Sequence, residues 1–95
     1  MELLMARSLA GHDKDALYVV IGEDEADVIL VNGKNRTMDS PKRKRKKHVQ
    51  PIRHFPETVR SEVRSAERWT DDNVRKVIKL YEMAHKEEEV CQKQM

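Results

Sequence analysis

Two short apolar runs separated by an acidic turn constrain the fold of this chain more than any other feature. The runs, residues 17–21 and 28–31, consist almost entirely of β-branched, aromatic and leucine side chains, and residues 22–25 between them read Gly-Glu-Asp-Glu. Each run is too short for a helix of ordinary length, and its residue types are those that favour strands. The pattern therefore predicts two buried strands joined by a polar turn.

Weaker signals on both sides extend the predicted sheet. Residues 3–10 form a modest strand signal that ends in turn residues at 11–13. Residues 48–52 can form a last short strand, and Pro51 places it at an edge because proline cannot donate to a ladder. Several short strands within residues 3–52 indicate a small antiparallel barrel.

A hairpin is predicted at Asn32-Gly33. Both residue types tolerate positive φ, which the tightest two-residue hairpins require. We therefore expect residues 35–38 to form the returning strand, with residues 39–41 ending it.

The C-terminal part of the chain has helical periodicity. Residues 56–69 carry only a thin apolar stripe, which predicts a linker or a marginal helix. Thr70 can cap a firmer helix whose first turn holds Asp71 and Asp72. We expect this helix over residues 70–90, followed by a tail at 91–95, with one apolar stripe formed by Val74, Val77, Ile78, Tyr81, Ala84 and His85.

Six consecutive basic residues, 42–47, concentrate positive charge in a chain whose net charge is only +2. They are expected to lie in a loop at 41–48, where Lys and Arg suit phosphate oxygens and make nucleic acid the first partner to consider. Residues 41–47 are also typical of a nuclear import signal, and a solvated loop is a third interpretation. A membrane surface is less favoured because no apolar anchor adjoins the run.

The order of these features resembles the KOW motif of small SH3-like barrels in ribosomal and transcription proteins. The resemblance covers residues 3–52 and lies in the segments 7–14, 18–21, 28–36 and 40–48, with a further likeness at residues 70–76. The chain is most similar to small bacterial KOW-domain RNA-binding proteins, which are themselves similar to a group of archaeal and eukaryotic large-subunit ribosomal proteins. The resemblance implies a mainly β fold, an SH3-like barrel over residues 1–55, followed by the C-terminal amphipathic helix.

The resemblance also implies a ribosomal or ribosome-associated protein that contacts rRNA phosphates, with the helix free to cover the barrel or to dock on another protein. Asp15 stands where the motif usually has a second glycine. Carried over by position, the RNA-binding face comprises Gly11, His12, Lys14, Lys34, Arg36, Lys42, Arg43, Lys44, Arg45, Lys46, Lys47 and His48.

Other chemistry finds little support in the sequence. Four histidines and Cys91 lack the paired spacing of zinc sites, and there is no nucleophile layout or glycine-rich phosphate loop. We therefore expect no metal, no cofactor and no enzyme activity. Tyr18 and Trp69 are expected to pack, and the acidic residues 23–25 to be merely solvated. The single cysteine and the absence of a long apolar run predict a cytoplasmic protein without membrane contact. The alternative function is a protein-interaction adaptor that uses the barrel and the helix stripe, with the basic run as an address signal or as a contact for an acidic partner.

Overall fold

A computed structural model of the 95-residue chain describes residues 4–9, 11–12 and 14–94, with side chains described as far as residue 84. Its elements, in chain order, are strands β1 (Met5–Ser8), β2 (Leu17–Glu23), β3 (Asp27–Val31) and β4 (Lys42–Arg45), a 3-10 turn (Lys46–His48), strand β5 (Val49–Ile52) and helices α1 (Glu57–Ser65) and α2 (Asp71–Gln94). The predicted class, mainly β with a C-terminal helix, is confirmed. Residues 3, 10 and 13 of the predicted first strand and turn lie outside the described residues.

The five strands form one antiparallel sheet in the order β4-β3-β2-β1-β5. The first four strands form a meander, and β5 returns to pair with β1, where Ser8 lies opposite Val49. Strand β5 occupies an edge of the sheet, which confirms the position inferred from Pro51. The pairing of β1 with β5 therefore brings the β1–β2 turn close to the 3-10 turn that precedes β5.

The predicted returning strand at residues 35–38 is wrong. The side-chain oxygen of Asn32 accepts hydrogen bonds from the backbone amides of Lys34 and Arg36, at 2.9 and 3.0 Å. Met38 donates its backbone N–H to the Asp71 carboxylate at 2.8 Å. Because these bonds wind the connection into turns against α2, it cannot form a ladder with β3, and Lys42–Arg45 pairs with β3 instead.

The basic loop predicted at 41–48 is also wrong, because most of it is regular structure. Residues 42–45 form β4 and residues 46–48 form the 3-10 turn. Side chains alternate along β4, so that Lys42 and Lys44 are half-buried while Arg43 and Arg45 are exposed. This alternation separates the basic residues into two sets with different surroundings.

Both faces of the sheet bury apolar side chains. One cluster joins the sheet to the helices and contains Met5, Val19 and Val31 with Val59, Val63, Val74 and Val77. The second cluster lies on the opposite face, and among the described residues its buried members all come from strands: Ala6, Tyr18, Val20, Val28, Leu30 and Val49. Tyr18 is 3% exposed and Trp69 packs against the first cluster, so the packing predicted for both rings is confirmed.

The two helices cover the first cluster. Segment 57–65 is helical and buries Val59 and Val63, which is the helical alternative predicted for this region. The Thr70 hydroxyl accepts the backbone N–H of Asn73 at 3.2 Å, which confirms the predicted cap of α2.

Helix α2 continues to Gln94, beyond its expected end. Val74 and Val77 of its stripe are fully buried, and Ile78 and Tyr81 pack beside them, whereas the His85 side chain lies outside the described residues. Within the described part of the chain, neither helix combines the length and the apolar character that a bilayer crossing demands.

Candidate nucleic-acid interface

The outward-facing cations of β4 are paired with carboxylates. Arg43 donates its Nε–H to Asp27 at 2.9 Å and a second guanidinium hydrogen to Asp24. The Arg45 guanidinium lies 4.0 Å from Asp27, and the Lys46 ammonium lies 3.3 Å from Glu23. Glu23 and Asp24 are therefore ion-paired, and the expectation that these two residues are merely solvated is wrong.

Asp24 is fixed as a carboxylate by its position in that turn. Its side chain accepts hydrogen bonds from the backbone amides of Asp27 and Ala26, which lower its pKa most, and the charges of Arg43 and Lys46 lower it further. The pairing with Asp27 and Asp24 raises the pKa of Arg43. These groups therefore stay charged and partly cancel the positive field of β4 over the ordinary pH range.

The inward-facing lysines of β4 also have partners within the protein. Lys44 donates to the hydroxyl of the fully buried Ser8 at 2.6 Å. The Lys42 ammonium lies 6.0 Å from the centre of the Tyr18 ring, at the limit of a cation–π contact. Both lysines thus support the fold, and neither presents its charge to solvent as fully as a loop residue would.

A different group of cations faces solvent beside the 3-10 turn. Leu9 donates its backbone N–H to the His48 carbonyl at 2.9 Å, which holds the β1–β2 turn against the Lys46–His48 segment. His12, Lys14, Lys47 and His48 are all exposed. We call Gly11, His12, Lys14, Lys47 and His48 the turn face; among the described residues, none of its side chains forms an ion pair.

The described residues at the end of the β1–β2 turn are hydrogen-bonded to β1. Asp15 donates its N–H to the Ser8 carbonyl at 2.8 Å, and Arg7 donates a guanidinium hydrogen to the Asp15 carbonyl at 3.2 Å. Gly11 and Asp15 have φ values of 88° and 72°, in the left-handed region that glycine adopts freely and that aspartate tolerates better than most residues. Asp15 thus adopts a backbone conformation that glycine favours.

Lys34 and Arg36 lie in another environment. Their connection is held against α2, where Arg75 donates to the Gly33 carbonyl at 2.5 Å and Asp71 accepts from Met38. This connection is hydrogen-bonded to α2, whereas the β1–β2 turn is hydrogen-bonded to β1 and, through Leu9, to the 3-10 turn. The predicted RNA-binding residues therefore divide into the turn face, the paired strand β4 and this helix-bound connection.

Sequence reasoning missed the carboxylates that neutralise β4. These carboxylates lie in and beside the β2–β3 turn: Glu23 ends β2, Asp24 follows it and Asp27 begins β3. The basic residues lie at the end of β4 that pairs with this end of β3. The sequence signal for this ion pairing was the acidic segment 23–27 before an apolar strand and the basic segment 42–46 after it. Within the described residues, no group of three His, Cys, Asp or Glu side chains is placed to hold a metal ion.

No protein-family model matches this chain, and a search of curated protein sequences finds no match either.

Proposed function

We propose that this protein is an RNA-binding domain built on an SH3-like barrel of the KOW type. Strand β5 returns to β1 directly after the 3-10 turn, and this topology fits such a barrel. The second apolar cluster, whose buried members among the described residues come from strands, fits a sheet that curls around its own side chains. The positive φ values of Gly11 and Asp15 between β1 and β2 support the likeness of this turn to the KOW turn.

One observation carries the functional proposal: the turn face gathers exposed cations where a hydrogen bond joins the end of β1 to the 3-10 turn. Lys14, Lys47 and the two imidazoles can all donate to phosphate oxygens without a fixed register on the RNA. Tyr18 is buried and offers no stacking surface. Recognition at this face therefore depends on the backbone and shape of a structured RNA rather than on its sequence.

Strand β4 has a supporting role in this proposal. Arg43, Arg45 and Lys46 are held by the acidic turn, so they contribute less to phosphate binding than a free basic loop would. If about three phosphates are contacted, the logarithm of the binding constant should fall with the logarithm of the salt concentration with a slope of about −2 to −3.

Association with the ribosome, through rRNA phosphates, is the setting that we propose for this activity. The adaptor alternative receives less support, since the stripe of α2 that would dock a partner packs against the sheet. Val77 is fully buried and Ile78 and Tyr81 lie against the same cluster.

Fluorescence-anisotropy titration of the wild-type protein tests the proposal. The ligands are a structured rRNA fragment, duplex DNA of equal charge and an acidic peptide, each at several salt concentrations. We expect the tightest binding to the structured RNA, with the salt slope given above. Equal weak binding to all three ligands, or binding that does not respond to salt, would contradict a selective RNA interface.

A further inference from the structure

A cleft of about 330 Å³ lies away from the turn face, where β5 leads into α1. It is lined by Arg53 and Phe55 from the connecting segment and by Arg60, Val63 and Arg64 from α1. Arg60 and Arg64 are four residues apart and therefore lie on the same side of the helix. Three arginines thus surround a small apolar floor.

The three arginines of the cleft differ in whether they have an ion-pair partner among the described residues. Arg64 forms an ion pair with Glu57. Arg53 and Arg60 are exposed, and among the described residues neither has a carboxylate partner. Two guanidinium groups at the mouth of the cleft are therefore available to an anion from solution.

The aromatic residue of the cleft is held in place by the core. The Phe55 ring meets the Tyr81 ring edge to face, with 6.2 Å between centroids and an interplanar angle of 67°. It also packs against the cluster between sheet and helices, and it is only partly buried. The cleft therefore offers a fixed apolar surface next to two unpaired cations.

We propose that this cleft binds one nucleotide of a single-stranded RNA segment, an inference that extends the proposed RNA-binding function to a second site. Arg53 and Arg60 bind the phosphate, since a guanidinium fork matches phosphate oxygens. The base lies against the partly buried Phe55 ring, a contact that any base can make. An acidic peptide would satisfy the arginines but brings no flat apolar group for the floor, so RNA is the favoured ligand.

Nuclear magnetic resonance titration of ¹⁵N-labelled protein tests this site directly. The probes are a single-stranded uridine hexamer, a hexamer with the same phosphates but no bases, and a glutamate hexapeptide. We expect the uridine hexamer to shift the amides of Arg60, Val63 and Arg64, with weaker binding of the abasic hexamer. Equal affinity for the peptide, or cleft amides that do not respond to the uridine hexamer, would overturn the assignment.

A double variant, Arg53→Gln with Arg60→Gln, supplies the matching test in the full-length chain. Because it removes two charge-assisted contacts from exposed positions, affinity for the uridine hexamer should fall by at least about tenfold without loss of the fold. Arg68→Gln with Lys79→Gln removes the same charge from exposed positions outside the cleft and should leave affinity nearly unchanged. Equal losses in both double variants would show a non-specific charge effect and overturn the site.

The two proposals fail separately. Cleft binding of the hexamer together with no binding of structured RNA at the turn face would contradict the proposed function and leave the cleft standing. If structured RNA binds with a steep salt dependence but the cleft amides do not respond to the hexamer, the proposed function stands and the cleft proposal is contradicted.

Discussion

Replacing Gly33 by alanine is expected to lower the midpoint of thermal unfolding by about 10 to 25 °C. Gly33 has a φ of 76°, where a side chain costs about 1–2 kcal/mol. A Cβ at this position would lie 2.6 Å from the Asp71 carbonyl oxygen and 2.6 Å from Cγ of Arg75. The arginine can move, but the helix backbone cannot, so the connection must lift away from α2.

That displacement also breaks contacts that tie the sheet to the helix. The Gly33 carbonyl accepts a hydrogen bond from the Arg75 guanidinium. Farther along the same connection, the Met38 backbone N–H donates to the Asp71 carboxylate. With backbone strain included, the loss in the free energy of unfolding should be about 2–4 kcal/mol. Thermal melts followed by circular dichroism would measure it.

Gly22→Ala is the matched control for this substitution. A Cβ at Gly22 would lie 3.5 Å from the Ile29 side chain, which is ordinary van der Waals contact. This variant should melt within a few degrees of the wild type. A Gly33→Ala protein as stable as Gly22→Ala would show that the close approach of the connection to α2 is not real.

Changing Lys14 and Lys47 together to glutamine is expected to weaken binding of structured RNA by about 10- to 100-fold at low salt. Both lysines are exposed and, among the described residues, neither has a carboxylate partner, so each can neutralise a phosphate without first breaking an internal pair. The salt slope should become shallower by about 2 in the same titrations, since two fewer counterions are released.

The control for the lysine pair is a double variant with the same change in net charge. Arg68→Gln with Lys79→Gln alters exposed cations on the α1–α2 connection and on α2, outside the turn face. Its affinity for structured RNA should stay within about threefold of the wild type, because neither residue belongs to the turn face and salt screens exposed charges outside the contact. Similar losses in both variants would mean that net charge, and not the turn face, governs binding.

Much of the fold is predictable from local patterns. The apolar runs at residues 17–21 and 28–31 become β2 and β3, and the periodic stripe beginning at Val74 becomes the buried side of α2. Thr70 caps that helix because its hydroxyl accepts an amide that the first turn leaves unpaired. In these cases the side-chain pattern and the tertiary packing favour the same local structure.

The two wrong predictions, the basic loop and the Asn32-Gly33 hairpin, concern segments whose structure is set by contacts with distant parts of the chain. A run of six like charges predicts a loop, because the residues repel one another, yet Asp24 and Asp27 neutralise Arg43 from across the hairpin and permit a strand. Asn32-Gly33 is locally a hairpin signal, but contacts with Asp71 and Arg75 fix a different turn. Neither set of partners is adjacent in the sequence, so periodicity and turn propensity could not reveal them.

In the candidate site, too, some features follow from the local sequence and others only from contacts between distant segments. The glycine-containing turn and the end of the basic run were both predicted to face RNA, and their proximity depends on the pairing of β1 with β5. The burial of Lys44 against Ser8 follows only from strand alternation in β4. Predicting the basic residues as one loop therefore overstated the number of cations that are available to phosphates.

Lysine footprinting of the complex with structured rRNA would show directly whether the turn face binds RNA. The protein is acetylated with and without bound RNA, and the modified lysines are quantified by mass spectrometry. We expect strong protection of Lys14 and Lys47, while Lys79 on the exposed side of α2 stays reactive. Unchanged reactivity of Lys14 and Lys47 at saturating RNA would contradict the assignment of the turn face as the RNA-binding surface.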